Sequence, residues 1–319
     1  MRFTTDYNAV FKTHQARDHF SPLPSVSLEP HTRHFSVANA WWLSHFSRWI
    51  YLDAAQRASQ LQRTAGCGPA FREVAHFHHK GMFAALCVAK DNSVAVMTFR
   101  GTANNRNWVS SFNCAPLRQG AHRGYDKLLT ELWSIASPTL TSLDCPVFFT
   151  GHSMGAGLAT LAARNFPTQG VYGFGPPPTG TASLRRALAA TPVFRLVNYR
   201  DLVPRLIMGT EAGAVGETIY FSHHHQLWNN PAARHMRADR RQGERDITRQ
   251  LNRQYKRPLP EALTDHSPQN YVASLRAVVG HEYQTASTSL LQHTSPELSG
   301  GYSGQVASKL VHSLIRATR

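Results

Sequence analysis

Residues 146–166 read PVFFTGHSMGAGLATLAARNF, and the fold turns on how this stretch changes character at its centre. PVFF is a short apolar run of the kind that forms a buried strand, whereas MGAGLATLAARNF is rich in Ala and Leu and favours a helix. Between them Gly151 through Gly155 spell G-x-S-x-G, so the chain passes from strand to helix in a turn built around Ser153. Glycines on either side permit a tight reversal, and the reversal lifts Ser153 Oγ out of the sheet instead of burying it in the core. Ser153 is therefore the candidate nucleophile. Met154, the first residue of the helix, can present its backbone N–H to a developing oxyanion. The plainer reading is a glycine-rich turn with a serine N-cap. The strand before it and the helix after it favour the nucleophile.

Outward from this turn the pattern repeats. Upstream, AALCVAKDNSVAVMTF (residues 84–99) divides into two strands around Lys90-Asp91-Asn92, which reads as a hairpin, and YDKLLTELWSIA (125–136) reads as a helix. Downstream, the apolar runs VYGF, VFRLVN and ETIYF alternate with Gly/Pro turns and the helical TASLRRALAA. That alternation predicts an α/β fold with a predominantly parallel central sheet and helices on both faces. Near the N-terminus, ANAWWLSHFSRWIYLDAAQRASQLQ (38–62) is expected to form one helix, with Trp41, Trp42, Phe46, Trp49, Ile50 and Leu52 on its core face.

A serine hydroxyl is a weak nucleophile until a base removes its proton, so the chemistry requires a histidine and an orienting acid downstream. Asp201 follows the strand-like VFRLVNYR, and His266 lies in the turn-rich LTDHSPQNY. The order Ser153, Asp201, His266 is the one expected on an α/β sheet carrying this elbow. Asp265, next to the base, is the competing acid, although a carboxylate adjacent in sequence is poorly placed to orient the ring. Thr102, after strand VAVMTF and Gly101, is the candidate second oxyanion donor.

Composition sets broader bounds. The chain has 319 residues, 42% hydrophobic and 17% charged, which favours a folded protein with a large core. Its 34 Lys and Arg against 19 Asp and Glu give a net charge of +15, so its surface attracts anionic lipid or nucleic acid. No zinc-finger, RRM or KH signature accompanies that charge, and no specific nucleic-acid partner is expected. Cys67, Cys87, Cys114 and Cys145 lack C-x-x-C spacing, and the side chains of His223-His224-His225 do not converge on one point, so no metal and no cofactor is expected. The first twenty residues lack the apolar run of a signal peptide, and no later segment offers the ~20 apolar residues of a membrane span. Cytoplasmic residence is the resulting expectation, with specialised export to a target membrane as the alternative. Protein partners are not legible.

Taken together, FRGT (99–102), NWVSSF (107–112), HRGY (122–125), GHSMGAGLA (151–159), RDLVPRL (200–206) and DHSPQNY (265–271) resemble, in order, the signatures of the class 3 lipase family. The resemblance covers about residues 71–271. It implies an α/β-hydrolase fold with 71–283 as the catalytic domain; beside it, periodicity and composition lead us to expect residues 1–70 as a helical extension packed on the core and 284–319 as a partly flexible extension ending in a helix. It implies Ser153 as nucleophile, Asp201 as acid, His266 as base, Thr102 and Met154 as oxyanion donors, and Trp108 as a substrate-covering residue beside a lid. Residues Ala103 to Asn107 present few apolar atoms for such a lid. The expected activity is cleavage of lipid carboxylic esters, as a triacylglycerol lipase or a phospholipase A-type acyl hydrolase, with peripheral contact to an anionic membrane. The alternatives are a general carboxylesterase or polyester hydrolase, and a catalytically silent membrane-binding protein.

Overall fold

Each short apolar run forms a strand. A computed structural model, which describes residues 20, 26–66, 68–101, 120–179, 182–205, 214–251 and 264–279, joins them in one sheet. Among the described residues its strands are β1 (Phe71–His79), β2 (Met82–Ala89), β3 (Ala95–Phe99), β4 (Val147–His152), β5 (Gly170–Phe174), β6 (Val193–Asn198), β7 (Glu217–Phe221) and β8 (Leu227–Asn229), in that spatial order. Pairing is parallel from β3 through β7 and antiparallel at both margins. The expected hairpin is β2–β3. Its turn is held by Asp91 Oδ1, which accepts from the Ser93 N–H (3.0 Å) and hydroxyl (2.7 Å), with Asn92 at φ 57°.

Period-two alternation sorts the strand side chains onto two faces. In β4, Phe148 joins the apolar cluster of one face and Phe149 that of the other. Helices α3 (Gly120–Thr141) and α4 (Met154–Ala162) cover the Phe149 face with Leu129, Leu132, Leu140, Leu158 and Leu161. The Phe148 face is covered by α1 (Val37–Trp49), which lies along β4, β3 and β5. Helices α2 (Ala54–Gln62), α5 (Ala182–Ala187), α6 (Ala233–Leu251) and α7 (268–279) complete the described α-helices. None of the described helices is long and apolar enough to cross a membrane.

The Trp-rich segment forms two helices where the periodicity predicts one. Asp53 is the reason: its carboxylate accepts from the Gln56 N–H (2.8 Å) while the Gln56 side chain accepts from the Asp53 N–H (3.4 Å), a capping box that starts a new helix. The core face is as expected, with Trp41, Trp42, Phe46, Trp49, Ile50 and Leu52 all buried. Two indoles also find acceptors, Trp42 Nε1–H at Val26 O (2.9 Å) and Trp49 Nε1–H at Arg57 O (3.0 Å). Burying each tryptophan, ~150–250 Å² of surface, contributes roughly 4–6 kcal/mol before entropy is counted. The C-terminal extension at 284–319 lies outside the described residues.

Candidate active site

The turn from β4 to α4 places Ser153 at φ 59°, ψ −129°, a conformation that non-glycine residues avoid. Such a residue stores ~1–3 kcal/mol and persists only where its neighbours fix it. Here the Ser153 N–H donates to Phe174 O at the end of β5 (2.8 Å), and Ser153 O accepts from the Ala156 N–H (3.0 Å). Gly151 and Gly155 face one another across the turn. A Cβ on Gly151 would enter the Gly155 backbone, and one on Gly155 would meet Phe99 O and stand 2.9 Å from Arg100 C. Both positions therefore need glycine. Ser153 is 2% exposed, and its Oγ is buried with no hydrogen-bond partner among the described residues.

Asp201 sits in the loop after β6, where its N–H donates to Asn198 O (2.9 Å). Its carboxylate is wholly buried, and donors surround it. Oδ1 accepts from the Val203 N–H (2.9 Å), Oδ2 accepts from the Tyr271 hydroxyl (2.6 Å), and His266 Nδ1 lies 2.9 Å from each oxygen. These donors satisfy both oxygens of the buried carboxylate. Because a carboxylate only accepts, the His266 proton sits on Nδ1, which leaves Nε2 as the basic nitrogen. Burial pushes the Tyr271 phenol well above its ordinary range, and the negative charge of Asp201 adds to this, so Tyr271 remains a donor.

The histidine loop is fixed from the elbow itself. His152, immediately before Ser153, donates from Nε2 to the backbone oxygen of His266 (2.6 Å), and the two rings lie 4.6 Å apart. Burial holds His152 well below the ordinary imidazole range, and the neighbouring His266 lowers it further. It is thus neutral, and its Nδ1 accepts from the Tyr51 hydroxyl (3.2 Å). Burial raises the Tyr51 phenol, whose oxygen packs so closely on Gly101 that a Cβ there would overlap it. At the end of β5, Gly175 adopts φ +59°, and a Cβ there would lie 2.6 Å from Asp201 Oδ2 and 2.9 Å from His266 Nδ1. Elbow, acid loop and histidine loop therefore converge on one strand end.

The arrangement thus brings together the elbow carrying Ser153, Asp201 and His266. Asp265 turns elsewhere: its carboxyl accepts from the Arg200 N–H (3.1 Å). Burial, only partly offset by that bond and reinforced by the charge of Asp201, raises it to about 7. Met154 opens α4 directly after Ser153. Thr102, Trp108 and the lid segment between them lie outside the described residues. His122 and Gly124 fall within α3. Sequence reasoning passed over Tyr271, His152 and Tyr51. Tyr271 stands in DHSPQNY, one helical turn into α7 and 70 residues from the carboxylate it meets, so its sequence surroundings carry no signal of that bond. His152 read only as the variable residue of G-x-S-x-G, and Tyr51 only as part of an aromatic core stripe.

The family Lipase (class 3) matches residues 96–210. Two curated relatives are the secreted mono- and diacylglycerol lipase A of Penicillium cyclopium and that of Penicillium camembertii. Each is 28% identical over 141 residues, which is 38% of this chain and 45% of the relative. The chain thus spans about half the length of these relatives. Among solved structures, a Rhizopus microsporus var. chinensis lipase is 17% identical with a TM-score of 0.44, covering 58% of this chain and 75% of that one. A mono- and diacylglycerol lipase from Aspergillus oryzae is 15% identical with a TM-score of 0.45, covering 62% of this chain and 87% of that one. Both curated relatives are named as secreted, which overturns the expectation of cytoplasmic residence. That expectation rested on a missing apolar run, and a missing run carries no address. The match runs from β3 through the elbow to the Asp201 loop, and over residues 96–210 the chain is similar to the class 3 lipase family.

Proposed function

We propose that this protein is a serine hydrolase that cleaves carboxylic esters of lipids, as a triacylglycerol lipase or a phospholipase A-type acyl hydrolase, through an acyl-enzyme. One observation carries the reading: a buried Asp201–His266 pair at 2.9 Å, anchored through His152 to the strained elbow of Ser153. In this mechanism His266 Nε2 takes the Ser153 proton as Oγ attacks the ester carbonyl, and Asp201 stabilises the imidazolium. Thr102 and the Met154 N–H stabilise the oxyanion. The alcohol leaves with the proton from His266, and His266 then activates water to release the carboxylic acid and restore the serine. The family resemblance assigns Trp108 the part of covering the acyl slot. The names of the curated relatives, mono- and diacylglycerol lipases, support acylglycerols as one substrate class, and the +15 charge supports contact with an anionic interface.

A product assay on mixed glycerolipid and phospholipid, resolved by positional isomer, tests this alongside Ser153 labelling by a fluorophosphonate. Ser153→Ala is expected to abolish labelling and lower turnover by about 10⁴-fold or more. Unlabelled wild-type protein with no ester turnover would remove the hydrolase reading. Turnover confined to soluble esters would replace the lipid reading with a general carboxylesterase, which the polar Ala103–Asn107 segment favours over an oil-shielding lid.

A further inference from the structure

Helix α6 carries its arginines on two opposite faces. Met236, Asp239, Arg240 and Gly243 are buried, and they fasten the helix to the C-terminal ends of β6 and β7. Arg240 Nε donates to Tyr199 O (2.9 Å), with its guanidinium 5.3 Å from the Tyr220 ring centroid. Asp239 accepts from the Tyr220 hydroxyl (2.8 Å) and the His223 N–H (3.0 Å). Gly243 lies so close to the Tyr199 ring that a Cβ would overlap it. Arg200 and Glu244 add an ion pair at 3.5 Å.

Arg234, Arg237, Arg241 and Arg245 are exposed and form no ion pair among the described residues. At 3.6 residues per turn these positions fall within about 80° of arc and extend along about 16 Å of helix. They make a straight cationic row, and only Glu244 among the neighbouring exposed positions opposes it. The residues that fix this helix, Tyr199 and Arg200, lead directly into Asp201. The residue after Asp201 is Leu202, 43% exposed, which with Ile135 is one of two large apolar side chains exposed among the described residues.

We infer that the outer arginine row of α6, with Leu202 as an apolar contact on the loop it is fastened to, is a docking surface for an anionic phospholipid bilayer. This rests on the lipid-ester reading above and assigns that reading's interfacial contact to a particular surface. A flat array of lipid phosphates matches a straight row of guanidiniums, and the acyl region beneath takes up an exposed leucine. A nucleic acid would use the same charges but would gain nothing from Leu202. Attraction of this kind acts over about a Debye length and weakens with salt.

The test compares wild-type protein with a quadruple variant, Arg234→Gln, Arg237→Gln, Arg241→Gln and Arg245→Gln, and with the corresponding quadruple Lys variant. Partition is measured by sedimentation with vesicles of phosphatidylcholine alone and of an equal mixture with phosphatidylserine, across salt concentrations. Each arginine near an anionic surface is worth about fivefold, so the Gln variant should lose roughly 10²- to 10³-fold in partition to the mixed vesicles. The Lys variant should retain most of it, and turnover of a soluble ester should be unchanged in both. Leu202→Ser should weaken partition with a smaller salt dependence. Equal partition of wild type and Gln variant, or equal wild-type partition to neutral and mixed vesicles, would overturn the assignment. So would a loss in duplex-DNA binding that exceeds the loss on vesicles, which would identify the row as a nucleic-acid surface. If wild type binds the mixed vesicles through this row yet turns over no ester, the docking surface stands and the hydrolase reading falls.

Discussion

Gly175→Ala tests whether the Asp201–His266 geometry governs the chemistry, because a single methyl reaches both partners. At Gly175 the backbone has φ +59°, where an L-residue pays about 1–2 kcal/mol. The new Cβ would stand 2.6 Å from Asp201 Oδ2 and 2.9 Å from His266 Nδ1, against an ordinary contact of about 3.5 Å. Something must therefore shift by nearly 1 Å. Asp201 is pinned by Tyr271 at 2.6 Å and the Val203 N–H at 2.9 Å, so the displacement falls on the pairing between acid and ring. A misplacement of about 1 Å in a positioned group lowers rate by roughly 10²-fold. The variant should thus fold, melt about 3–8 °C lower, and lose about 10²-fold in kcat on a soluble ester with KM little changed. Fluorophosphonate labelling of Ser153 should slow in parallel. A folded Gly175→Ala enzyme with kcat within about threefold of wild type would refute the reasoning, since the pair would then tolerate the loss of its geometry.

Tyr271→Phe removes the 2.6 Å donor from Asp201 Oδ2, a bond to a charged acceptor worth about 1.5–3 kcal/mol, so kcat should fall roughly 10- to 10²-fold; an unchanged kcat would show that His266 and Val203 suffice. Asp265 gives a pH signature. Its folded value of about 7 lies above the ordinary 3.8, so the stability it confers is present below pH 3.8 and lost as pH rises through 7. The gap is worth at most about 4 kcal/mol, and Asp265→Asn should gain on wild type in urea midpoint as pH rises from 4 to 8; parallel profiles would reject the assignment. Trp49→Ala empties a fully buried site and should destabilise the fold by about 3–5 kcal/mol in denaturant titration, with a loss under 1 kcal/mol contradicting its place in the core.

The α/β order and the positions of β2 through β7 were legible because each apolar run is short and bounded by turn residues, whereas the polar-rich β1 and the three-residue β8 carry no such run. The hairpin at Asp91 and the buried Trp41, Trp42 and Trp49 were legible for the same local reason. The break at Asp53 was not, because hydrophobic periodicity runs on through it and only the reciprocal bonds with Gln56 mark a new helix. Ser153, Asp201 and His266 stood out because their residue types carry chemistry. The bonds of Tyr51, His152 and Tyr271 depend on contacts across 101, 114 and 70 residues of chain, and no local pattern encodes separations of that kind.

Those three residues change what the N-terminal segment is for. Tyr51 follows α1 by two positions, and α1 is held in the sheet by Trp41, Trp42 and Trp49. Its hydroxyl packs against Gly101, the residue before Thr102, and donates to His152, whose other nitrogen holds the His266 backbone. A neutral His152 is required for this direction of donation, and burial keeps it neutral. The chain of contacts therefore runs from the residue before the proposed oxyanion donor to the proposed base without passing through substrate. Loosening α1 moves Tyr51 and leaves the buried His152 Nδ1 without its donor, so an N-terminal core defect reaches the base through two hydrogen bonds.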